Sequence, residues 1–249
     1  MSDIPRQPAG LENQRQSEKH RRRWVIKDTE LAVLWPPFGR RSLPAPFMMT
    51  SCGIRPYLGE RVRMELRQEM GDSLDRLSAA LWLPDVRVAV NGWDIQDPID
   101  PAGRLRALGV RRGPWSFLLR QLPGRTVHHS GPVEIVEQSE LALARTVVET
   151  MPKVPTGTMG PVWMDRSRPL QWARAQRFLD APRKRVGTIQ VTTGKDSVTH
   201  TLSWQDLVDD GRYVVAPATP AVASGLSAEA LTRTLHDTLS AAAGRIREL

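Results

Sequence analysis

The feature that most constrains the fold is a stretch between residues 86 and 136, in which short apolar segments are separated by pairs of glycine and proline. Val86, Val88 and Val90 alternate with other residues, and this period of two is typical of a strand with one buried face. Further strands are predicted at residues 105–110, 115–121, 126–129 and 132–136. Because Gly-Pro pairs favour tight turns, the stretch predicts an antiparallel meander.

Amphipathic segments on either side of the meander predict helices. One long helix is expected from about Glu60 to Pro84, because apolar residues recur there every three or four positions. Its predicted buried stripe consists of Val62, Leu66, Met70, Leu74, Leu77 and Leu81. A second helix is expected from the N-cap residue Ser139 to Pro152, and a third over residues 169–179.

The second half of the chain repeats the plan of the first. Strands are predicted at residues 186–192, 198–204 and 212–215, and a last helix follows from Ser227. The predicted inner face of that helix consists of Leu231, Leu235, Leu239, Ala243 and Ile246. The repeated order predicts an α+β fold with a central, mainly antiparallel β-sheet, flanking helical bundles and two quasi-symmetric halves.

The domain organisation follows from where large apolar residues occur. A single domain is predicted over residues 24–249, with its halves at about 24–152 and 153–249. Residues 24–35 predict a short strand or helix at its start. Residues 1–23 contain almost no large apolar side chains and are rich in Gln, Pro, Arg and Glu, so they are predicted to form a disordered basic tail.

The net charge and the hydropathy of the chain limit the classes of partner that it can bind. A formal net charge of +8 admits binding to nucleic acid or to another anionic partner through the tail and the arginine clusters, and this is the alternative function. Outside the tail, however, the excess is scattered in short clusters such as residues 183–185, which are typical of solvated loops. No apolar run approaches the ~18 residues that a membrane span requires, so we expect no membrane insertion and a cytoplasmic location.

Residues that could support catalysis or metal binding are few. His128 and His129 are adjacent, and neighbours on a strand point to opposite faces, so they are not expected to share a metal ion. Asp206, Asp209 and Asp210 precede a glycine and predict a turn. The single cysteine, Cys52, cannot form an internal disulfide. We therefore expect no enzymatic activity, no cofactor and no metal site.

The tryptophans point to a possible protein-binding surface. The chain has eight tryptophans and two tyrosines, and several tryptophans fall where loops or strand ends are expected. In the polar segment of residues 92–99, the apolar residues are Trp93, Ile95, Pro98 and Ile99. An aromatic ring exposed in a loop can anchor a protein partner, while a buried one only packs, and the sequence leaves both readings open.

Five segments of the chain carry a family resemblance, namely residues 83–92, 106–113, 119–124, 181–191 and 203–215. They resemble the EspG family of ESX (type VII) secretion chaperones. The first three are similar to the central strands of that family and the last two to its basic turn and closing strands, and Gly211-Arg212-Tyr213 is the most specific match. The resemblance extends from about Asp28 to the C-terminus and leaves the basic tail outside.

This resemblance implies a protein-binding function. An EspG-type protein is expected to bind the exposed apolar tip of a PE-PPE heterodimer and to keep it soluble for export, as either a monomer or a weak homodimer. The family's binding surface would correspond to a loop between central strands and to the C-terminal helix. We therefore predict partner contacts from Trp93, Ile95, Pro98, Ile99, Leu231, Leu235 and Leu239.

Overall fold

The computed structural model describes residues 22–35, 43–50, 56–194 and 197–247, and within them the chain forms strands and helices in about equal measure. The strands are β1 Arg22–Ile26, β2 Val86–Asp94, β3 Arg104–Arg112, β4 Trp115–Pro123, β5 Ser130–Ser139, β6 Val162–Trp163, β7 Arg183–Thr193, β8 Ser197–Leu207, β9 Arg212–Ala216 and β10 Val222–Gly225. The helices are α1 Asp28–Leu34, α2 Pro56–Met70, α3 Asp72–Trp82, α4 Leu143–Glu149, α5 Pro169–Asp180 and α6 Ala228–Arg247.

All ten strands belong to one sheet. Their order across it is β1-β5-β4-β3-β2-β7-β8-β9-β10-β6, and every neighbouring pair is antiparallel. The predicted α+β fold with a central antiparallel sheet is therefore confirmed. Each half contributes a four-stranded meander that starts at the centre of the sheet, with β2 and β7 side by side. The quasi-symmetric relation between the halves stays a prediction.

Some predicted elements differ from the structure. The long helix is divided at Gly71, whose positive φ of 57° interrupts it, although the apolar stripe continues from α2 into α3. Residues 126–129 form a turn and not a strand, because Thr126 Oγ1 contacts His129 Nδ1 at 2.7 Å and closes the chain on itself. The predicted Ser139 helix starts with a short 3₁₀ turn, Glu140–Ala142.

The start of the domain also differs from the prediction. Arg22 and Arg23 are part of β1, where they pair with Glu137 and Val136, so the sheet begins two residues inside the predicted tail. The open choice of strand or helix for residues 24–35 is resolved as both, with β1 followed by α1. The rest of the predicted tail, residues 1–21, and Cys52 lie outside the described residues.

The first face of the sheet is the side on which Val88 and Val90 lie, and its centre is covered. The helices α4 and α6 pack on it and form one core with residues from both halves. Val88, Val90, Ile189 and Val191 are each at most 2% exposed at the centre of this core. The burial of these apolar side chains contributes to the stability of the domain.

The second face, on which Ala89 and Asn91 lie, carries two separate cores. Helices α1, α2 and α3 cover β1 and β3–β5. Helix α5 covers β9, β10, β6 and the end of β8. The middle of this face, where β2, β7 and β8 are adjacent, lies between these two cores.

The Gly211-Arg212-Tyr213 segment connects β9 to the loop after α4. Arg212 is buried, donates to both carboxylate oxygens of Asp206 at 2.8 and 2.9 Å, and donates to the carbonyl oxygen of Pro152. Tyr213 is also buried and its hydroxyl donates to Asp210 Oδ2 at 2.5 Å. The predicted turn is confirmed, since Asp209 has a φ of 61° between β8 and β9.

None of the helices in the described part of the chain combines the length and apolar character needed to cross a membrane.

Candidate partner-binding surface

The loop between β2 and β3 is ordered by its own polar groups. Asp94 Oδ1 accepts hydrogen bonds from the backbone N–H groups of Gln96 and Asp97 at 2.9 and 3.3 Å. Asp100 Oδ1 accepts one from Ala102 at 2.9 Å and begins the 3₁₀ turn Pro101–Gly103. These Asx-type contacts order the loop through its polar groups.

The apolar side chains of this loop face solvent. Trp93, Ile95 and Ile99 are 36, 41 and 79% exposed, and Pro98 is exposed as well. The backbone N–H of Ile95 donates to the carbonyl oxygen of Lys184 at 2.8 Å, which fixes the loop to the start of β7. The four residues therefore lie together on one ordered protrusion, as contact with a partner requires; the contact itself stays a prediction.

Beside this loop, none of the described helices covers the middle of the second face, and we call this strip of the sheet the trough. Its floor consists of Asn91 on β2, Thr188 and Gln190 on β7, and Thr201 and Ser203 on β8. Asn91, Gln190 and Ser203 are exposed although their strands are central in the sheet. With strands about 4.8 Å apart, β2 to β8 spans about 10 Å, which is close to the diameter of an α-helix.

Trp93 lies at the end of the trough. The strand register places it opposite Arg104 on β3 and Val186 on β7, so all three side chains point to the second face. Arg106 follows on β3, opposite Asn91. The trough thus combines a polar floor with an aromatic side chain and two arginines along one side.

The C-terminal helix requires a correction. Leu231, Leu235 and Leu239 are at most 5% exposed and pack into the core on the first face of the sheet, away from the trough. An apolar stripe on a helix marks the side that is buried, and here the domain itself buries it. These three leucines are therefore core residues, and we do not retain them as partner contacts. The outer face of α6 is polar, with Arg233 and Asp237 exposed.

The arginine clusters are partly used within the domain. Arg185 lies 3.5 Å from Asp94 and 3.9 Å from Asp206, and Arg111 lies 3.6 Å from Glu140. Arg112 donates to the carbonyl oxygens of Ala79 and Leu83 at 3.2 Å. These contacts assign structural roles to three of the clustered arginines, so the clusters are not a free basic surface.

Residues considered for metal binding do not assemble into a site. His129 contacts Thr126 and Arg125, and His128 is exposed beside it. Of the aspartates, Asp206 pairs with Arg212, and Asp210 accepts from Tyr213 and Thr158. Among the residues that the structure describes, no group of three or more His, Cys, Asp or Glu side chains could hold a metal ion.

Burial and hydrogen bonds shift the pKa values of Tyr213 and Asp210 at the turn between β8 and β9. Burial and the hydrogen bond to Asp210 raise the pKa of Tyr213 to about 12. Burial opposes ionisation of Asp210, but the hydrogen bonds from Tyr213 and Thr158 outweigh it and lower the pKa of this carboxyl. Both shifts indicate a neutral phenol that donates a hydrogen bond to a carboxylate. This hydrogen bond is a structural contact.

Taken together, fold and surface define an α+β domain in which helices cover the centre of one sheet face and leave the centre of the other face open between two helical layers. The chain belongs to the EspG family, whose sequence profile matches residues 27–237. The fold is also similar to a solved structure, that of the Mycobacterium tuberculosis type VII secretion system chaperone EspG5 in complex with a PE25-PPE41 dimer. That similarity has a TM-score of 0.55 at 13% identity and covers 88% of this chain and 95% of that one. No curated protein matches the chain in sequence.

Proposed function

We propose that this protein is a cytoplasmic chaperone of the type VII secretion system that binds PE-PPE-type substrates and keeps them soluble for export. Membership in the EspG family supports this function. The solved EspG5 chaperone, which has the same fold, was captured with a PE25-PPE41 dimer. The protein acts by binding, without catalysis.

The observation that carries the proposal is the exposed apolar protrusion beside an uncovered trough. Ile99 is 79% exposed on a loop held by hydrogen bonds, and Trp93, at the end of β2, is 36% exposed. The floor of the trough is about as wide as an α-helix, so a helical substrate can lie on it while its apolar tip covers Trp93, Ile95, Pro98 and Ile99. The substrate's apolar surface is then shielded from self-association.

The test is co-expression with candidate PE-PPE heterodimers from the same genome, followed by affinity purification of this chain. Ile99→Asp and Trp93→Asp should abolish recovery of the heterodimer, because each places a charge in an apolar contact. Leu141→Asp is the matched control, since Leu141 is 71% exposed but lies before α4, away from the loop.

The thermal unfolding of Ile99→Asp and Leu141→Asp should match that of the wild type, since each replaces a largely exposed side chain. Trp93→Asp should lower the unfolding temperature, because Trp93 is 36% exposed and the rest of its surface is buried, so its recovery is measured at a temperature at which the variant is folded. Unchanged recovery with Ile99→Asp and Trp93→Asp would contradict the assigned surface. Failure of the wild-type chain to retain any PE-PPE heterodimer would contradict the function.

A further inference from the structure

Two arginines beside the trough have an arrangement that the fold itself does not explain. Arg104 and Arg106 are two residues apart on β3, so their side chains point to the same face at a spacing of about 7 Å. Arg104 is opposite Trp93, and Arg106 is opposite Asn91. Both are half-buried. Two positively charged residues thus lie two positions apart on the strand that borders the trough.

Neither guanidinium group has a carboxylate partner among the residues that the structure describes. Arg104 Nη2 donates to the carbonyl oxygen of Pro98 at 3.1 Å, and its Nε is buried without a hydrogen-bond partner. Arg106 Nη2 contacts Met48 Sδ at 2.9 Å and the carbonyl oxygen of Val127 at 3.5 Å. By contrast, the half-buried Arg185 and the buried Arg212 both pair with Asp206.

The pair is electrostatically unfavourable as it stands. Burial, together with the adjacent Arg104 charge, lowers the pKa of Arg106. A carboxylate placed between the two groups would offset both effects, and guanidinium groups bind carboxylates through paired hydrogen bonds. The aromatic ring of Trp93 beside them provides an apolar contact for the rest of the ligand.

We propose that Arg104 and Arg106 recognise a carboxylate side chain on the substrate segment that occupies the trough. This proposal rests on the proposed chaperone function, which it extends by defining the chemistry of the bound segment. That segment carries an acidic residue next to the apolar residues that cover Trp93. The arginine pair then selects among heterodimers with similar apolar tips, because an apolar side chain in that position would leave both charges unpaired.

The test measures the dissociation constant of the purified chain for a PE-PPE heterodimer that the wild type retains. Arg106→Glu and Arg104→Glu should each weaken binding by about tenfold or more, because they replace attraction with repulsion. Arg120→Glu is the matched control, with the same change of charge. Arg120 is exposed on β4 opposite Ala107, whose side chain belongs to the core on the first face, and binding should change by less than about twofold.

A second variant tests the pair without removing an arginine. Asn91→Asp is close to isosteric and places a carboxylate opposite Arg106, where it competes with the carboxylate of the substrate. It should weaken binding by about threefold or more at low salt and by less at high salt. Replacing the substrate's own acidic residues by arginine, one at a time, should identify one variant that restores binding to Arg106→Glu.

The outcomes separate this proposal from the function on which it rests. If the wild type binds the heterodimer, and Arg106→Glu and Asn91→Asp bind as well as Arg120→Glu at every salt concentration, the carboxylate recognition is wrong and the chaperone function stands. If the wild type retains no heterodimer, both are wrong. Weakened binding by Arg106→Glu and Asn91→Asp, with rescue by one charge-swapped substrate, supports the proposal.

Discussion

The two faces of the central sheet differ most where β2 and β7 meet. On the first face, Val90 and Ile189 are nearly inaccessible beneath α4 and α6. On the second face, the neighbouring residues Asn91 and Gln190 are exposed to solvent. Adjacent residues of the same strands therefore serve different purposes. The first set stabilises the domain, while the second remains accessible to a partner.

The largest effect that tests this comparison comes from two consecutive residues of β7. Ile189→Ala should lower the free energy of unfolding by about 2–5 kcal/mol, because Ile189 is 1% exposed and its removal leaves a cavity. Gln190→Ala should change it by less than about 0.5 kcal/mol, because Gln190 faces the open trough. Denaturant unfolding of both variants measures the difference, and similar losses would show that the trough is covered.

A smaller loss of stability is expected in the part of the second face that helix α5 covers, in contrast to the open trough. Tyr213→Phe should lower the free energy of unfolding by about 1–3 kcal/mol, since it leaves Asp210 and the backbone N–H of Met159, 2.7 Å from the hydroxyl, without their partner. The pKa of Tyr213 is raised from 10.0 to about 12 in the folded protein. The contribution is therefore complete below pH 10 and is lost as the pH rises towards 12, because the unfolded phenol ionises first.

The measurement is the difference in unfolding free energy between wild type and Tyr213→Phe at several pH values. It should be constant from pH 7 to 9 and shrink between pH 10 and 12. A difference that stays constant or grows over that interval would contradict the assigned hydrogen bond to Asp210.

Much of the sheet could be predicted from the sequence because its signal is local. The alternation at Val86, Val88 and Val90, with turns rich in glycine and proline, identifies strands that consecutive hairpins connect. The break at Gly71 could not be predicted in the same way. The apolar stripe runs from Met70 to Leu74 without losing its spacing, so only the backbone conformation of the glycine divides the helix.

The candidate site could be predicted only in part. The loop residues Trp93 and Ile99 were identifiable because apolar side chains in a polar turn have no core to enter. The stripe of α6 was misassigned because its periodicity is the same whether the domain or a partner buries it. The trough was missed because Thr188 and Gln190 resemble the outer residues of any two-layer sheet. Their polarity is informative only once β7 is known to be a central strand.

The most direct test of the central claim compares three tryptophans of similar exposure by hydroxyl-radical footprinting and mass spectrometry. Trp93, Trp115 and Trp163 are 36, 45 and 46% exposed, and they lie beside the trough, at the opposite end of the sheet and at its edge. Addition of a PE-PPE heterodimer should slow the oxidation of Trp93 severalfold and leave Trp115 and Trp163 unchanged. Protection of Trp115 or Trp163 with Trp93 unaffected would contradict the account.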